Sequence, residues 1–152
     1  MDISIKKIQR GEQLPFDLLY LADPSVEAVA DYTSRGECYV AYAGGEIVGE
    51  YVLVPTRPST VELVNVAVDE KLHGQGIGRR LVEHAISTAR RLGYVKIEVG
   101  TGAPGATQLM LYQKCGFRME WIDRDFFTRH CPEPFSENGV ECRDMVRMGM
   151  YL

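Results

Sequence analysis

Three glycines, Gly74, Gly76 and Gly78, separate a β-rich run from a long amphipathic stretch, and this junction constrains the fold more than any other part of the sequence. The run from Val61 to Val68 is rich in β-branched residues, as strands are. Between residues 77 and 92 apolar residues recur about once per helical turn, which predicts a helix with one buried face. The predicted buried stripe consists of Ile77, Leu81, Ala85, Ala89 and Leu92. A strand followed by such a helix indicates a sheet with helices packed on it.

The glycine segment is also a candidate anion site. Glycines allow backbone N–H groups to converge, and the N-terminus of the following helix adds about half a positive charge. Arg79 and Arg80 fall in the first helical turn, where cations are unfavourable for the helix dipole unless an anionic ligand offsets them. A flexible turn could use the same glycines, but the two arginines favour a loop that binds a diphosphate.

Two other nucleotide-binding motifs fit less well. Gly76-Ile77-Gly78 resembles the start of a dinucleotide-binding G-x-G-x-x-G motif, with Glu98 near the place of its ribose-binding carboxylate. Leu81, however, stands where that motif has its third glycine or alanine, and the preceding strands are joined by tight turns. No Gly-Lys-Ser or Gly-Lys-Thr follows, which excludes a Walker A loop.

The strands before the glycines are predicted to form an antiparallel meander. Gly44-Gly45-Glu46 is a hairpin signal between runs at 38–43 and 47–54, and Pro55-Thr56-Arg57-Pro58 is predicted to end the second run. The strand at 94–99 should return beside residues 61–68 by a right-handed crossover. The other predicted elements are a strand at 3–8, a helix from Ser25 to Gly36, a loop at 100–105, a helix at 107–114, a final strand pair at 117–122 and 140–151, and a loop at 125–138 between them.

Length and composition predict one domain, residues 1–152. The chain has 152 residues, of which 45% are apolar and 25% are charged, as in an ordinary globular domain. No apolar run approaches the ~18 residues of a membrane span, and the start has no signal-peptide pattern, so we expect a cytoplasmic protein without membrane contact. The four cysteines lack metal-ligand spacing, so no metal site is expected. A net charge of -4 argues against nucleic-acid binding.

Two motifs in order resemble the GNAT superfamily of acyl-CoA-dependent N-acyltransferases. The run 61–68 followed by His73-Gly74-Gln75-Gly76-Ile77-Gly78-Arg79 resembles the cofactor motif of that family. Leu111-Tyr112, followed by Gly116-Phe117, is similar to its second motif. The resemblance covers roughly residues 36–122, and the whole chain looks like an uncharacterised bacterial subgroup of the family.

The resemblance implies an α+β, three-layer fold. Its mixed, mostly antiparallel sheet would have about 6–7 strands, splayed between the fourth and fifth, with about four flanking helices. It implies transfer of an acetyl group from acetyl-CoA to a primary amine, by direct attack within a ternary complex. The alternative is a non-catalytic acyl-CoA sensor that has kept the cofactor loop.

The resemblance also implies roles for individual residues. Backbone groups of Val66, Ala67 and Val68 would pair with the pantetheine arm. The diphosphate would be held by His73, Gly74, Gln75, Gly76, Ile77, Gly78 and Arg79. His73 replaces the usual glutamine or arginine, and Gly105 stands where many members have asparagine. The second departure concerns pantetheine contacts and leaves the diphosphate loop unchanged.

Acyl transfer needs a proton donor and a proton acceptor, and the resemblance suggests one residue for each. The thiolate that leaves has a conjugate acid with a pKa near ~8.5, and Tyr112 matches the position of the family's general acid. Glu62 matches the strand position that supplies the base in several members, and strict alternation puts it on one face with Val64 and Val66. Tyr112 could instead only pack its ring. Glu62 could be a solvated carboxylate or a substrate anchor, with water relaying the proton.

The acceptor is the least constrained partner. A loop with acidic and aromatic residues could form a pocket for a cationic small-molecule or peptide amine. Its candidate residues are Asp123, Asp125, Phe126, Phe127, Glu133 and Glu137. The last strand could complete the sheet or exchange with that of a second copy, which makes a homodimer possible.

Overall fold

The computed structural model describes residues 1–152, which form a seven-stranded sheet between two layers of helices. The strands are β1 (Ser4–Lys7), β2 (Glu37–Ala43), β3 (Glu46–Arg57), β4 (Thr60–Val68), β5 (Lys96–Gly102), β6 (Arg118–Asp123), β7 (Ser136–Glu137), β8 (Val140–Glu141) and β9 (Met145–Tyr151). The helices are α1 (Phe16–Ala22), α2 (Val26–Arg35), α3 (Ile77–Arg91), α4 (Ala106–Lys114) and α5 (Phe126–His130), with a 3-10 turn at Glu70–Leu72. The order in the sheet is β1-β2-β3-β4-β5-β9-β6, and β7 and β8 form a separate hairpin.

The first four strands form the predicted meander. Gly44 and Gly45 adopt positive φ angles of 57° and 82°, which a tight hairpin turn between β2 and β3 requires. The prediction that residues 55–58 end the next strand is wrong, because β3 continues through Pro55 to Arg57. The register shifts between Pro55 and Arg57, and proline is tolerated in a strand at such a bulge.

Helix α3 makes the crossover from β4 to β5, and these two strands are the parallel pair of the sheet. Its apolar stripe packs on one face of the sheet, where Leu81, Ala85 and Ala89 are completely buried. Leu92 was expected in the same stripe but is 52% exposed, because it lies just beyond the end of the helix. A second, smaller core on the opposite face of the sheet packs against α1 and α2. The predicted three-layer architecture is therefore confirmed.

The splay between the fourth and fifth strands is confirmed as well. The register of β4 with β5 runs from Thr60–Lys96 to Leu63–Val99 and then stops. Beyond that point β4 remains paired with β3, while β5 remains paired with β9. One edge of β4 therefore lies open over its last residues.

A β-bulge in β4 coincides with the start of this opening. Asn65 lies opposite Val52, but Leu63 lies opposite Leu53, so Val64 is an extra residue in β4. The bulge breaks the strict alternation of side chains. Val64 and Asn65 both face α1 and α2, since Val64 packs on the smaller core and the Asn65 amide donates to the Leu19 carbonyl.

Two local predictions were wrong or incomplete. Helix α1 was missed, since its N-cap residue is Pro15, which has no side chain that can cap the helix, and the sequence therefore gives no capping signal. The loop expected from residue 100 starts later, because Gly100 and Gly102 belong to β5. Side chains at these glycines would meet sulfur atoms of Met145 and Cys142 at 2.6 and 2.5 Å, so close packing, not a turn, requires glycine there. Strand β9 completes the chain's own sheet between β5 and β6.

Truncation of Leu81 should destabilise the fold strongly. Leu81→Ala leaves a cavity between α3 and the sheet, and we expect a loss of about 2–5 kcal/mol, or roughly 5–15 °C in melting temperature. The matched control is Leu92→Ala, just beyond the end of the same helix, which should change stability by less than about 0.5 kcal/mol because Leu92 is exposed. Thermal unfolding of the two variants measures the contrast, and equal losses would contradict this account of the core.

Candidate active site

The glycine loop presents unpaired backbone donors at the start of α3. Gly74 and Gly76 both have φ angles of 81°, in the left-handed region that favours glycine. The N–H groups from Gly74 to Arg79 make no hydrogen bond within the protein, and no side chain caps the helix. A segment with these properties is suited to bind an anion through its backbone.

Charged side chains around the loop are only partly engaged. Arg79 pairs with Glu83 at 2.7 Å, and Arg80 donates to the Met1 carbonyl at 3.2 Å. A groove of about 380 Å³ continues from the loop between α3 and α4. Its lining residues are Arg79, Glu83, Ile86, Arg90, Lys114, Cys115 and Met150. Three of these side chains are cations and one is an anion, so the groove extends the positive potential of the loop.

The open edge of β4 lies directly before this loop. Val66, Ala67 and Val68 pair with β3 on one side and have no partner on the side of β5. The His73 ring donates from Nε2 to the Val68 carbonyl at 2.8 Å, so it holds the end of the strand against the start of the loop. His73 therefore has a structural contact that the sequence did not reveal.

Tyr112 lies in α4 on the same face of the sheet as α3. It is 5% exposed, and its ring meets Phe117 edge to face at 5.8 Å between centroids. Burial raises the pKa of Tyr112, and the nearby charges of Cys115 and Glu50 raise it further. The phenol is thus a neutral proton carrier at physiological pH, and it makes no hydrogen bond within the protein.

Glu62 lies on the opposite face of the sheet, in a pocket of about 400 Å³. The expectation that Glu62, Val64 and Val66 share a face is wrong for Val66, because the bulge at Val64 turns Val66 towards the core under α3. The Glu62 carboxylate accepts a hydrogen bond from Arg147 Nη1 at 3.1 Å. The pocket is lined by Arg57, Glu62, Lys96, Glu98, Glu120, Trp121, Arg147 and Met148. It is therefore of mixed charge rather than acidic.

The aromatic loop that was expected to hold the acceptor lies beside the pocket of Glu62. Its residues 126–130 form α5, and the Phe126 ring lies 5.8 Å from the Arg147 guanidinium carbon. Asp123, one of the acidic candidates, is paired with Arg129 at 2.6 Å. The sequence analysis missed Arg147, although it is the one charged residue of an otherwise apolar last strand.

Glu50 is a second residue that the sequence analysis missed. It lies on β3, is completely buried, and neither carboxylate oxygen has a hydrogen-bond partner. The other buried side-chain atom without a partner is Asn65 Oδ1, on the neighbouring strand. Burial raises the pKa of Glu50 to about 8, so the carboxyl is mostly protonated at neutral pH. A carboxylate within the apolar run from Ile47 to Val54 was the available signal.

Stability should therefore fall as the pH rises through the range in which Glu50 titrates. The pKa of Glu50 is raised from 4.5 to about 8, so the folded protein holds a proton that the unfolded chain releases. The stabilisation is complete below the unfolded value and is lost towards pH 8. Glu50→Gln should melt roughly 5–10 °C higher than the wild type at pH 8.5 and lose this advantage near pH 4.5.

Melting curves across this pH range measure the effect. Glu46→Gln, at the exposed end of the same strand, is the control and should change little at any pH. A difference between Glu50→Gln and the wild type that does not depend on pH would contradict the raised pKa.

The fold and the site together have the organisation of an acyl-CoA-dependent acyltransferase. The sequence profile of the acetyltransferase (GNAT) domain matches residues 34–119. The chain is 53% identical over 155 residues to the uncharacterized N-acetyltransferase YvbK of Bacillus subtilis strain 168, and 100% of both chains is covered.

Two solved structures share the fold over nearly their whole length. A GNAT family acetyltransferase from Elizabethkingia anophelis with acetyl-CoA bound has a TM-score of 0.97 at 45% identity, covering 99% of this chain and 98% of that one. An IAA acetyltransferase from Bacillus cereus ATCC 14579 has a TM-score of 0.96 at 50% identity, covering 99% and 100%. The chain belongs to the GNAT acetyltransferase family, as its two motifs predicted.

None of the helices has both the length and the apolar character needed to cross a membrane. No group of three or more His, Cys, Asp or Glu side chains is arranged to hold a metal ion.

Proposed function

We propose that this protein transfers an acetyl group from acetyl-CoA to a primary amine, by direct attack within a ternary complex. The observation that carries the proposal is the continuity of three features along the splay. Unpaired N–H groups at residues 74–79 lead to the open edge of β4, and Tyr112 lies on the same face of the sheet. Acetyl-CoA bound to the Elizabethkingia anophelis relative supports the same cofactor here.

The cofactor extends along this line. Backbone N–H groups from Gly74 to Arg79 hold the diphosphate, His73 fixes the start of the loop through its bond to Val68, and the positive end of α3 adds to the attraction. The open edge of Val66, Ala67 and Val68 pairs with the amide groups of the pantetheine arm as a neighbouring strand would. Arg90 and Lys114 line the adjoining groove, so they are available to the remaining phosphate of coenzyme A.

The reaction needs two proton transfers. The amine nitrogen bonds to the thioester carbonyl carbon, the carbon–sulfur bond breaks, and sulfur leaves with the electron pair. Tyr112 gives its hydroxyl proton to that sulfur, and the phenolate regains a proton from solvent. Glu62 accepts the proton that the amine loses, and for this it exchanges its hydrogen bond with Arg147 for one with the amine.

Acetyl-CoA should stabilise the protein, because it binds the folded state alone. At ~100 times its dissociation constant it adds about 2.7 kcal/mol, which raises the melting temperature by several degrees. Gly76→Ala should reduce this shift, because the left-handed loop loses its geometry. Gly93→Ala, at the other end of α3 with a φ of 90°, is the matched control and should keep the shift. A shift with NAD and none with acetyl-CoA would overturn the cofactor assignment.

Replacement of the phenol separates an enzyme from a non-catalytic sensor. Tyr112→Phe keeps the packing of the ring on Phe117, so its thermal shift with acetyl-CoA should match that of the wild type. Turnover, followed by release of the coenzyme A thiol, should fall by roughly ten- to a hundredfold. Unchanged turnover would remove Tyr112 from the reaction, and a wild type that releases no thiol with any amine would favour the sensor.

The acceptor is proposed as a small-molecule or peptide amine, and cytoplasmic location and a homodimer remain predictions.

A further inference from the structure

We propose that the acceptor is an amino acid, whose carboxylate binds Arg147 while its amino group binds Glu62. The inference rests on the proposed acetyl transfer and adds the chemical class of the acceptor. It follows from the position of Arg147, from its unused hydrogen-bond donors, and from the charge balance of the pocket.

Arg147 lies where the two strands part. Its position on β9 is opposite Gly100, the first residue of β5 beyond the last pair with β4. A side chain at Gly100 would come within 3.0 Å of Arg147 Nη1, so the guanidinium lies directly over this glycine. Because the proposed thioester lies in the splay, a group bound by Arg147 is close to the reacting carbon.

Most of the Arg147 donors are free. A guanidinium has five N–H donors, and the one hydrogen bond that Arg147 makes is from Nη1 to Glu62. The Phe126 ring centroid lies 5.8 Å from the guanidinium carbon, a cation–π distance that leaves the N–H donors available for hydrogen bonds in the guanidinium plane. The side chain is 22% exposed, so the free donors can be reached from the pocket. A carboxylate accepts two parallel bonds from such a fork.

The other cations of the pocket are less available. Lys96 is held by Glu120 at 2.8 Å and by Glu98 at 3.3 Å. Arg57 contacts Glu98 and is 64% exposed, so it lies at the rim of the pocket. Arg147 is therefore the cation best placed to take a new anionic partner.

Charge balance favours a zwitterion over a simple amine. Three cations and three carboxylates line the pocket, so it carries no net charge. A simple ammonium ion that engaged Glu62 would take from Arg147 its one partner and add a positive charge, which is costly in a half-buried site. An amino acid exchanges the Glu62–Arg147 bond for two new pairs. The Glu62 carboxylate oxygen and Arg147 Nη1 are 3.1 Å apart. This short separation suits an ammonium group and a carboxylate that are attached to the same carbon atom, as in an amino acid.

Two matched acceptor series test this class. Phenylalanine, phenylalaninamide and phenethylamine form one, and leucine, leucinamide and isopentylamine form the other, each assayed by thiol release from acetyl-CoA. We expect kcat/KM to be at least roughly tenfold higher for the amino acids than for the amides, as for loss of a charge-assisted hydrogen bond. The amide has the less basic amine and more of it is unprotonated at neutral pH, so amine basicity cannot produce this preference.

Variants of Arg147 identify the responsible group. Arg147→Gln should raise KM for the amino acid by roughly tenfold or more, remove the preference over the amide, and leave KM for acetyl-CoA unchanged. Arg147→Lys keeps the charge but loses the fork, so the preference should be reduced and still present. Arg35→Gln, on the exposed side of α2, is the control and should behave as the wild type. The thermal shift with acetyl-CoA verifies that each variant is folded.

Each outcome decides the proposal. Equal or faster acetylation of the amides or simple amines by the wild type would overturn it, as would no acetylation of either series while another amine is acetylated. Retention of the full preference in Arg147→Gln would overturn the assignment to Arg147. The proposed function fails separately, if no amine of any class releases thiol.

Discussion

The extra residue in β4 is the constraint on which the rest of the site depends. In a continuous sheet, parallel neighbours pair along their whole length and satisfy each other's N–H and carbonyl groups. Here the pairing of β4 with β5 ends at Leu63 and Val99, beside the bulge at Val64. The backbone groups beyond that point stay available at the open edge, and the sheet acquires a gap connecting its two faces.

The same bulge gives the two faces of the sheet different chemistry. Before the bulge Glu62 faces the proposed acceptor pocket, and after it Val66 faces the core under α3. The loop of residues 74–79 and Tyr112 belong to the side of α3 and α4, whereas Glu62 and Arg147 belong to the other side. A cofactor and an acceptor can therefore approach from opposite faces and meet in the gap, as a ternary complex requires.

Local sequence signals were sufficient for the parts of the fold that depend on local geometry. The hairpin at Gly44 and Gly45, the glycine loop and the buried stripe of α3 each follow from backbone or periodicity rules within a few residues. The bulge could not be predicted, since it depends on how β3 aligns with β4. Arg147 was missed for the same reason: its partner Glu62 is 85 residues away, so no local pattern links them.

Glu50, in the interior of the sheet, affects how readily Tyr112 can donate a proton. A charged Glu50 raises the pKa of Tyr112, which makes the phenol a weaker proton donor. Burial raises the pKa of Glu50 itself to about 8, so at neutral pH the carboxyl is mostly neutral and this effect is small. The raised pKa of Tyr112 is then due mainly to burial of its ring. Burial disfavours the phenolate and a thiolate beside it alike. In the proposed reaction, proton transfer from Tyr112 to the leaving sulfur therefore only moves the negative charge to the phenol oxygen, and the charge leaves the apolar surroundings when solvent reprotonates the phenolate.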